Sequence, residues 1–469
     1  MIKEFFIKKI GDKVAKKTKN NLLEIPFYRK RLKENNIHLG EVRNITSLEK
    51  LETFLNKHKI EWVTEEEMLE MSKDYCLSLS IVPQNKRSWI QASSGYTLAT
   101  KLLTNTSDVI LTRKRVAYTK KDLKEACKIY ESLKNLLEND ISLTIAIFGR
   151  LGDLCGSGTY PFLAISGGYS NVNVKTLYYG LPKNETELLQ WLKECKELNI
   201  SGIIGIPSTL EKLTKISKAC DLYFKNLKLV GTGGDRLHKT LIEELYDIGA
   251  KIITIGYGAQ EVTPLSTVAI GTIFSTIPKF PATEGLGVIG NLNYVRITDK
   301  NGESVELEEE GHIRVTSPFE GTTLVDYDTK DVGKFINDHF FVRHGNKELK
   351  IPFPSLSYEI SRLNEHSLRV RERNVYVKDL REIGYLSVGY EFIIGTEDNK
   401  LHIFITKPEK EKMMSYLYNL LPSEIAENTY VHIIPTTILS KYLYPAGHYK
   451  PHNIANSQIT KLLLESVKK

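Results

Sequence analysis

The chain has 469 residues, more than the ~250–300 at which a single hydrophobic core stops growing, so we expect a large domain and at least one further unit. Hydrophobic residues make up 41% and charged residues 26% of the sequence, which excludes a disordered or fibrous protein. The net charge of +7 is mild for this length, and no recognisable nucleic-acid-binding module accompanies it, so we expect no nucleic-acid partner.

The cysteines and histidines limit which disulfides and metal sites we expect. The five cysteines are scattered and form no Cys-x-x-Cys pair, which favours reduced thiols in the cytoplasm over disulfides or a zinc site. His339 and His344 lack a partner carboxylate motif, and we expect no metal there. No run approaches the ~18 apolar residues of a membrane helix, so we expect no membrane partner.

The first ninety residues show helical periodicity, as in Leu48, Leu51, Phe54 and Leu55. The segment Ala92–Lys101 follows and is small and rich in hydroxyls. Such a loop lets backbone N–H groups and hydroxyls approach phosphate oxygens, and Lys101 adds charge. The segment does not match the P-loop pattern, and a Ser/Thr/Gly cluster on its own is more often a surface turn.

Short apolar runs alternate with charged helical segments between residues 140 and 275, which indicates a largely parallel, covered α/β sheet. Ligands of such sheets bind beyond the carboxyl ends of the strands. The predicted strands are Leu143–Phe148, Gly202–Ile206, Leu227–Val230 and Lys251–Ile255, and the predicted helices are Glu185–Leu198, Leu210–Ala219 and Lys239–Ile248.

Two glycine-rich turns directly follow two of these strands. In Gly231–Asp235, glycines allow close approach to a flat ligand such as adenine, although a turn in which Asp235 caps the next helix is an alternative. In Gly256–Glu261, Tyr257 suits stacking on a base and Glu261 suits magnesium, although an ordinary strand-end turn fits equally. A formal Gly-x-Gly-x-x-Gly at Gly285–Gly290 follows no predicted strand and precedes no helix, so we interpret it as chance.

The remainder of the chain is β-rich and then α+β. Residues 288–330 contain two strand patterns separated by an Asp299–Gly302 turn. The acidic stretch after them ends in Asp331, a carboxylate suited to the two hydroxyls of a ribose, with a solvated acidic turn as the alternative. After Leu363 a smaller α+β unit is predicted, and we place the domains at 1–361 and 362–469.

In chain order, these segments resemble the signatures of the adenylate-forming (acyl/aryl-CoA synthetase) superfamily. Residues 93–101 resemble its Ser-Gly-Thr-Thr-Gly phosphate loop, 257–261 its Tyr-Gly-x-Thr-Glu, and 327–331 its Tyr-x-Thr-x-Asp. The phenylacetate–CoA ligase branch is the most similar, because Ile25-Pro-Phe-Tyr-Arg29 and Val370–Val377 resemble its first helix and its "VRGxNV" strand.

The resemblance implies an α/β fold with a large N-terminal AMP-binding domain of mixed and parallel sheets, joined by a hinge at Arg362 to a small mobile α+β C-terminal domain. It implies ATP and Mg²⁺ as cofactors, release of pyrophosphate from a carboxylic acid and ATP, and transfer of the acyl group to a thiol, with CoA as co-substrate. The implied phosphate-binding residues are Ser93, Ser94, Gly95, Thr97 and Lys101; the adenine-lining residues are Gly234, Asp235, Tyr257 and Gly258; Glu261 binds Mg²⁺ and Asp331 binds the ribose.

The sequence also departs from the pattern. Tyr96 replaces a small Thr of the phosphate loop, and Gln260 replaces the Thr before Glu261. The late catalytic lysine of the family follows a glycine, whereas here His448 follows Gly447 and Lys450 comes two residues later, so both are candidates for that role. The resemblance does not identify the acid. It leaves an amine, a carrier-protein thiol or a cofactor hydroxyl as alternative acceptors, and a homologue that binds nucleotide without turnover as an alternative function. A homodimer is also compatible with it.

Overall fold

The computed structural model describes the chain apart from residues 1, 93–96, 99–110, 113, 129, 131–142, 150–161, 163, 171, 181, 183, 260, 278–280, 345–346, 352, 363–366, 371–372, 407, 444–452, 456 and 468–469. No helix within the described part is both long and apolar enough to cross a membrane. The helices are α1 (Ile2–Glu24), α2 (Pro26–Glu34), α3 (Leu39–Arg43), α4 (Leu48–His58), α5 (Glu65–Met71), α6 (Lys120–Cys127), α7 (Glu185–Glu197), α8 (Pro207–Ala219), α9 (Lys239–Asp247), α10 (Val377–Val388), α11 (Lys410–Leu420), α12 (Ser423–Ala426), α13 (Thr436–Leu443) and α14 (Ser457–Val467).

The first twelve strands in chain order are β1 (Arg87–Ala92), β2 (Thr97–Leu98), β3 (Leu111–Thr112), β4 (Arg115–Thr119), β5 (Leu143–Phe148), β6 (Val174–Gly180), β7 (Gly202–Gly205), β8 (Leu229–Gly233), β9 (Ile252–Tyr257), β10 (Ala269–Ser275), β11 (Leu286–Val288) and β12 (Tyr294–Thr298). The strands that follow are β13 (Gly311–Pro318), β14 (Thr323–Gly333), β15 (Phe335–Asn337), β16 (Phe340–His344), β17 (Lys347–Ile351), β18 (Ser355–Leu356), β19 (Ser361–Arg362), β20 (Ser367–Val370), β21 (Arg373–Tyr376), β22 (Phe392–Glu397), β23 (Lys400–Ile405) and β24 (Thr429–Ile433).

A nine-stranded sheet forms the centre of the N-terminal part, in the order β15-β18-β11-β10-β9-β8-β7-β5-β6. Strands β6, β5, β7, β8 and β9 run parallel to one another. The pairs β9-β10, β10-β11, β11-β18 and β18-β15 are antiparallel. Strands β7 and β8 are buried along their whole length, as a sheet covered on both faces requires. The predicted parallel α/β sheet is therefore confirmed.

The helices between the parallel strands begin where the sequence provides a suitable residue. The side chain of Asn184 accepts a hydrogen bond from the backbone N–H of Glu187 and caps α7. Helix α8 begins at Pro207, three residues before the predicted start, because the first turn of a helix needs no N–H donor there. The three predicted helices between residues 185 and 248 are otherwise confirmed.

A separate antiparallel sheet, in the order β12-β13-β14-β19, packs beside the first. The Asp299 carboxylate accepts from the backbone N–H groups of Asn301 and Glu303, which forms the predicted turn after β12. Asp331 of β14 pairs with Arg362 of β19. The residue predicted as the hinge therefore still belongs to this sheet through its backbone.

The C-terminal residues form a three-stranded sheet, β22-β23-β24, with helices on both faces. On one face Ile393 and Phe404 pack with Leu439 and Leu463 of α13 and α14 in a core of their own. This arrangement confirms the predicted α+β character after residue 363. The boundary between residues 361 and 362 stays a prediction.

The formal Gly-x-Gly-x-x-Gly has a packing role. A Cβ atom on Gly287 would lie 2.7 Å from Cγ of Phe340, and one on Gly290 would lie 2.0 Å from Cδ1 of Phe353. These glycines therefore let two aromatic rings pack against the backbone. The interpretation that the pattern is not a dinucleotide site agrees with this packing.

A buried ion cluster fixes the strand β14. Asp326 has a left-handed backbone (φ 46°) and is 3% exposed. Its carboxylate accepts two hydrogen bonds of 2.9 Å from Nη1 of Arg296, and Nη1 of Arg314 lies 3.4 Å from Oδ2. Two guanidinium groups thus share one buried carboxylate at the point where the strand is distorted.

We expect Asp326→Ala to lower the free energy of unfolding by about 3–5 kcal/mol, because it leaves buried guanidinium groups without their counter-charge. Urea denaturation measures the change. Asp247→Ala is the control, since its pair with Lys218 (2.9 Å) lies at the surface, and we expect a change within about 0.5 kcal/mol. Equal effects of the two substitutions would contradict a stabilising role for the cluster.

Candidate functional site

The two glycine-rich turns lie side by side at the carboxyl edge of the parallel strands. Gly233 at the end of β8 pairs directly with Gly256 in β9. Gly234 follows with φ +80°, a conformation that favours glycine. Both turns therefore lie at the same edge of the sheet. The alternative role of Asp235 as a helix cap is wrong, because His238 accepts from the N–H of Leu241 and caps α9 instead.

Asp331 lies in a buried polar cluster with Tyr257. The Tyr257 hydroxyl donates to Oδ2 of Asp331 at 3.0 Å and lies 3.2 Å from Oγ1 of Thr329. Nε of Arg362 lies 3.2 Å from Oδ1 of Asp331. Burial, followed by the Asp331 charge, raises the pKa of Tyr257 well above its usual value, so the phenol stays a donor. The alternative of a solvated acidic turn is wrong, since Asp331 is 8% exposed.

Glu261 is also buried, and its carboxylate contacts a lysine. Nζ of Lys114 lies 3.3 Å from Oε1 of Glu261 and 3.2 Å from Oε1 of Glu65, and it donates to the Tyr327 hydroxyl at 3.0 Å. Burial opposes the charge of Lys114, but Glu261, Tyr327 and Glu65 together outweigh it and raise its pKa above the usual value. The backbone of Glu261 is held as well, because its carbonyl accepts from the Tyr118 hydroxyl at 3.1 Å.

Sequence reasoning missed Lys114 and Glu65. The one signal for Lys114 is a basic run, residues 113–115, directly before a buried strand, where solvated side chains are not expected. Glu65 is one of three consecutive glutamates in the first turn of α5, a position that the helix dipole alone explains. Nothing local in the sequence links either residue to Glu261.

The turn after β8 also contacts the C-terminal part of the chain. The Tyr390 hydroxyl donates to the carbonyl of Arg236 at 2.8 Å, and the Tyr390 N–H donates to Oε2 of Glu211 at 3.2 Å. The His238 ring stacks on Tyr385 with centroids 5.5 Å apart. The predicted adenine-lining residues therefore adjoin a contact surface between the N-terminal and C-terminal parts.

Several predicted site residues lie outside the described part of the structure. Thr97 is described through its backbone alone, which pairs with Thr112 in the short β2–β3 ladder. Gly258 follows the end of β9 and is partly buried. The predicted residues outside the described part are Ser93, Ser94, Gly95, Lys101, His448 and Lys450, and the departures Tyr96 and Gln260 lie outside it too.

The residues near Glu261 suit a magnesium ion that arrives with a nucleotide. Within the described ranges, no three His, Cys, Asp or Glu side chains converge as a metal cage. Magnesium in nucleotide sites uses one or two carboxylates together with phosphate oxygens and water. Glu261 and Glu65 already face one cationic group, the ammonium of Lys114, so the donor set fits such an ion.

Comparison with known proteins agrees with this geometry. A family model described as "AMP-binding enzyme" matches residues 176–323. This segment contains both glycine-rich turns and Glu261, whereas Asp331 and Arg362 lie beyond it. No sequence match was found among curated proteins.

Solved structures show the fold. The 2-hydroxyisobutyryl-CoA ligase in the postadenylation state with 2-HIB-AMP is similar with a TM-score of 0.69 and 14% identity, covering 98% of this chain and 91% of that chain. The amide bond synthetase McbA from Marinactinospora thermotolerans is similar with a TM-score of 0.50 and 14% identity, covering 76% and 67%. The chain therefore has the fold of adenylate-forming enzymes. Within that fold, residues 176–323 are the part of the chain that is similar to the AMP-binding enzyme family model.

We expect His238→Asn to flatten the dependence of stability on pH. Burial lowers the pKa of His238 to about 4, with Glu244 opposing and Lys215 adding to the shift. Below its unfolded pKa of about 6.5 the unfolded chain binds a proton that the folded chain does not, so stability falls as the pH drops from about 6.5 to about 4. Asparagine retains a capping oxygen but does not titrate.

Urea midpoints of both proteins across that pH range measure the slope. Burial also lowers the pKa values of His402 and His432, so the slope should decrease in the variant without vanishing. An unchanged slope would show that His238 titrates alike in the folded and unfolded chains.

Proposed function

We propose that this chain is an ATP-dependent acid-activating ligase, which joins a carboxylate to AMP and passes the acyl group to a thiol, with CoA as the expected acceptor. The observation that carries the proposal is the hydrogen bond between the half-buried Tyr257 and the buried Asp331 at the carboxyl edge of the sheet. It lies in a fold whose solved examples include a CoA ligase with a bound acyl-AMP. The finer placement in the phenylacetate–CoA ligase branch rests on Ile25–Arg29 and Val370–Val377.

Each described residue has a defined role in this proposal. Asp331 accepts the two ribose hydroxyls, and Tyr257 holds that carboxylate through its own hydroxyl. Gly234 and Gly258 allow the adenine to approach the backbone, with Asp235 at its edge. The phosphates are assigned to Ser93, Ser94, Gly95, Thr97 and Lys101, and the late catalytic charge to Lys450 or His448.

The proposed chemistry has two displacements. A carboxylate oxygen of the acid attacks the α-phosphorus of ATP, the bond from that phosphorus to the bridging oxygen breaks, and pyrophosphate leaves. The thiolate of CoA, its proton released to solvent, then attacks the acyl carbon, and AMP leaves. Glu261 would hold a magnesium ion, which would supply positive charge to the phosphate oxygens. The residues of this chain act mainly by positioning and by neutralising charge.

The arrangement of the C-terminal part supports an adenylation conformation. The TM-score is 0.69 with the postadenylation state of the 2-hydroxyisobutyryl-CoA ligase and 0.57 with its thioesterification state, at nearly equal coverage. Because both TM-scores compare this chain with the same protein, the difference between them reflects how the N-terminal and C-terminal parts are arranged. Tyr390 and Glu211 make the contact that holds this arrangement here.

ATP–pyrophosphate exchange tests the proposal directly. The purified chain is assayed with Mg²⁺ and a panel of aryl, fatty and short 2-hydroxy acids, without any acceptor. Exchange with one acid class establishes adenylation and identifies the substrate class, and adding CoA, an amine or a carrier protein then identifies the acceptor. No exchange with any acid, in protein that still binds ATP, would favour a nucleotide-binding homologue without turnover.

Asp331→Ala should weaken ATP binding by about 10- to 100-fold, because a charged hydrogen-bond partner of the ribose contributes about 1.5–3 kcal/mol. Calorimetric titration with ATP measures the loss. Asp328→Asn is a matched control on the same strand, since that carboxylate pairs with His312 and Lys330 instead. Unchanged ATP affinity in Asp331→Ala would remove the ribose assignment.

A further inference from the structure

We propose that Lys114 is a positioning residue: its ammonium holds Glu261 while no magnesium nucleotide is bound, and it is displaced from that carboxylate when the metal arrives. The inference rests on the proposed magnesium role of Glu261. The ammonium lies between two carboxylates, 3.3 Å from Glu261 and 3.2 Å from Glu65. One cation therefore faces two anions in a place where the Lys114 side chain is 6% exposed.

Lys114 directly precedes strand β4. Arg115, the first residue of that strand, pairs with Ala92, the last residue of β1. Ala92 is also the first residue of the segment predicted to approach phosphates, so Lys114 and the start of that segment lie at the same end of one ladder.

Both neighbouring backbones are fixed, so the flexible part is the lysine side chain. The N–H of Arg115 donates to the Ser72 hydroxyl at 2.9 Å, and its carbonyl accepts from the Cys76 thiol at 3.2 Å. On the opposite side the Glu261 carbonyl accepts from Tyr118. A lysine has a four-carbon stem and a point charge that can be redirected without moving either backbone.

The consequence is competition between two cations for one carboxylate. Without nucleotide, the ammonium neutralises Glu261 and keeps its oxygens in place at the Tyr327 hydroxyl. When magnesium nucleotide binds, the metal would take the carboxylate and the freed ammonium would be available to the phosphate oxygens of the nucleotide. The same lysine then contributes charge to the phosphates, a role that the sequence alone assigned to Lys101.

The test is Mn²⁺ binding to the full chain without ATP or acid, measured by electron paramagnetic resonance. Lys114→Gln removes the competing charge and should tighten Mn²⁺ binding at least about tenfold. Lys114→Arg keeps the charge and should bind Mn²⁺ as weakly as the wild type. Adding Glu261→Gln to Lys114→Gln should abolish the gain.

Three results would overturn the inference: no gain in Lys114→Gln, an equal gain in Lys114→Arg, or a gain that survives Glu261→Gln. If Lys114→Gln does not fold without metal, Mn²⁺ should restore its folding, and failure to restore it also overturns the inference. The Mn²⁺ measurement uses no nucleotide, so it is independent of the exchange assay. Absence of pyrophosphate exchange would contradict only the proposed function. Pyrophosphate exchange together with unchanged Mn²⁺ binding in Lys114→Gln would contradict only the role of Lys114.

Discussion

The ion cluster of Arg296, Arg314 and Asp326 fixes the strand on which both halves of the candidate site depend. Tyr327 of strand β14 accepts a hydrogen bond from Lys114, and Asp331 of the same strand accepts one from Tyr257. Asp326 takes a left-handed backbone just before Tyr327, and Lys330 (φ 61°) does so just before Asp331. A regular strand would place these side chains differently. The carboxylate held by two guanidinium groups maintains the distortion before Tyr327, and the Asp328 carboxylate, which accepts from the N–H of Lys330, maintains the one before Asp331.

One element of the candidate site also contacts the C-terminal part. The turn after β8 presents Gly234 and Asp235 at the carboxyl edge of the sheet. Within the next three residues, Arg236 contacts Tyr390 and His238 contacts Tyr385. The proposed nucleotide would therefore contact the same short turn against which the C-terminal part packs.

Gly389 makes that contact surface selective for one arrangement. Its backbone is left-handed (φ +72°), and a Cβ atom there would lie 2.0 Å from Oε1 of Glu211. The close approach allows the neighbouring N–H of Tyr390 to reach the same carboxylate. Glu211 is buried, so its charge needs both the N–H of Tyr390 and the ammonium of Lys215 as partners. This need favours the arrangement in which Tyr390 contacts Glu211.

The sequence predicts what depends on local periodicity and misses what depends on distant pairing. Strand β5 matches its predicted bounds, and the two glycine-rich turns meet because parallel strands bring their carboxyl ends to one edge. Asp331 could be proposed as a site residue because the motif that contains it is local. Lys114 meets Glu65 and Glu261 across separations of 49 and 147 residues, which no periodicity encodes. The cap of α9 was misassigned because Asp235 and His238 both carry an acceptor, and only the backbone geometry decides between them.

Electrostatics explains why Asp331 can be buried before any ribose arrives. A buried carboxylate without partners is costly, and here Tyr257 and Arg362 satisfy it. The two partners are unequal: the Arg362 side chain is 49% exposed, so water can replace it at small cost, whereas Tyr257 is held by the protein around it. A diol that enters can therefore displace the arginine and retain the phenol. Arg362 is also the residue predicted as the hinge, so the proposed ribose site and the predicted hinge share one ion pair.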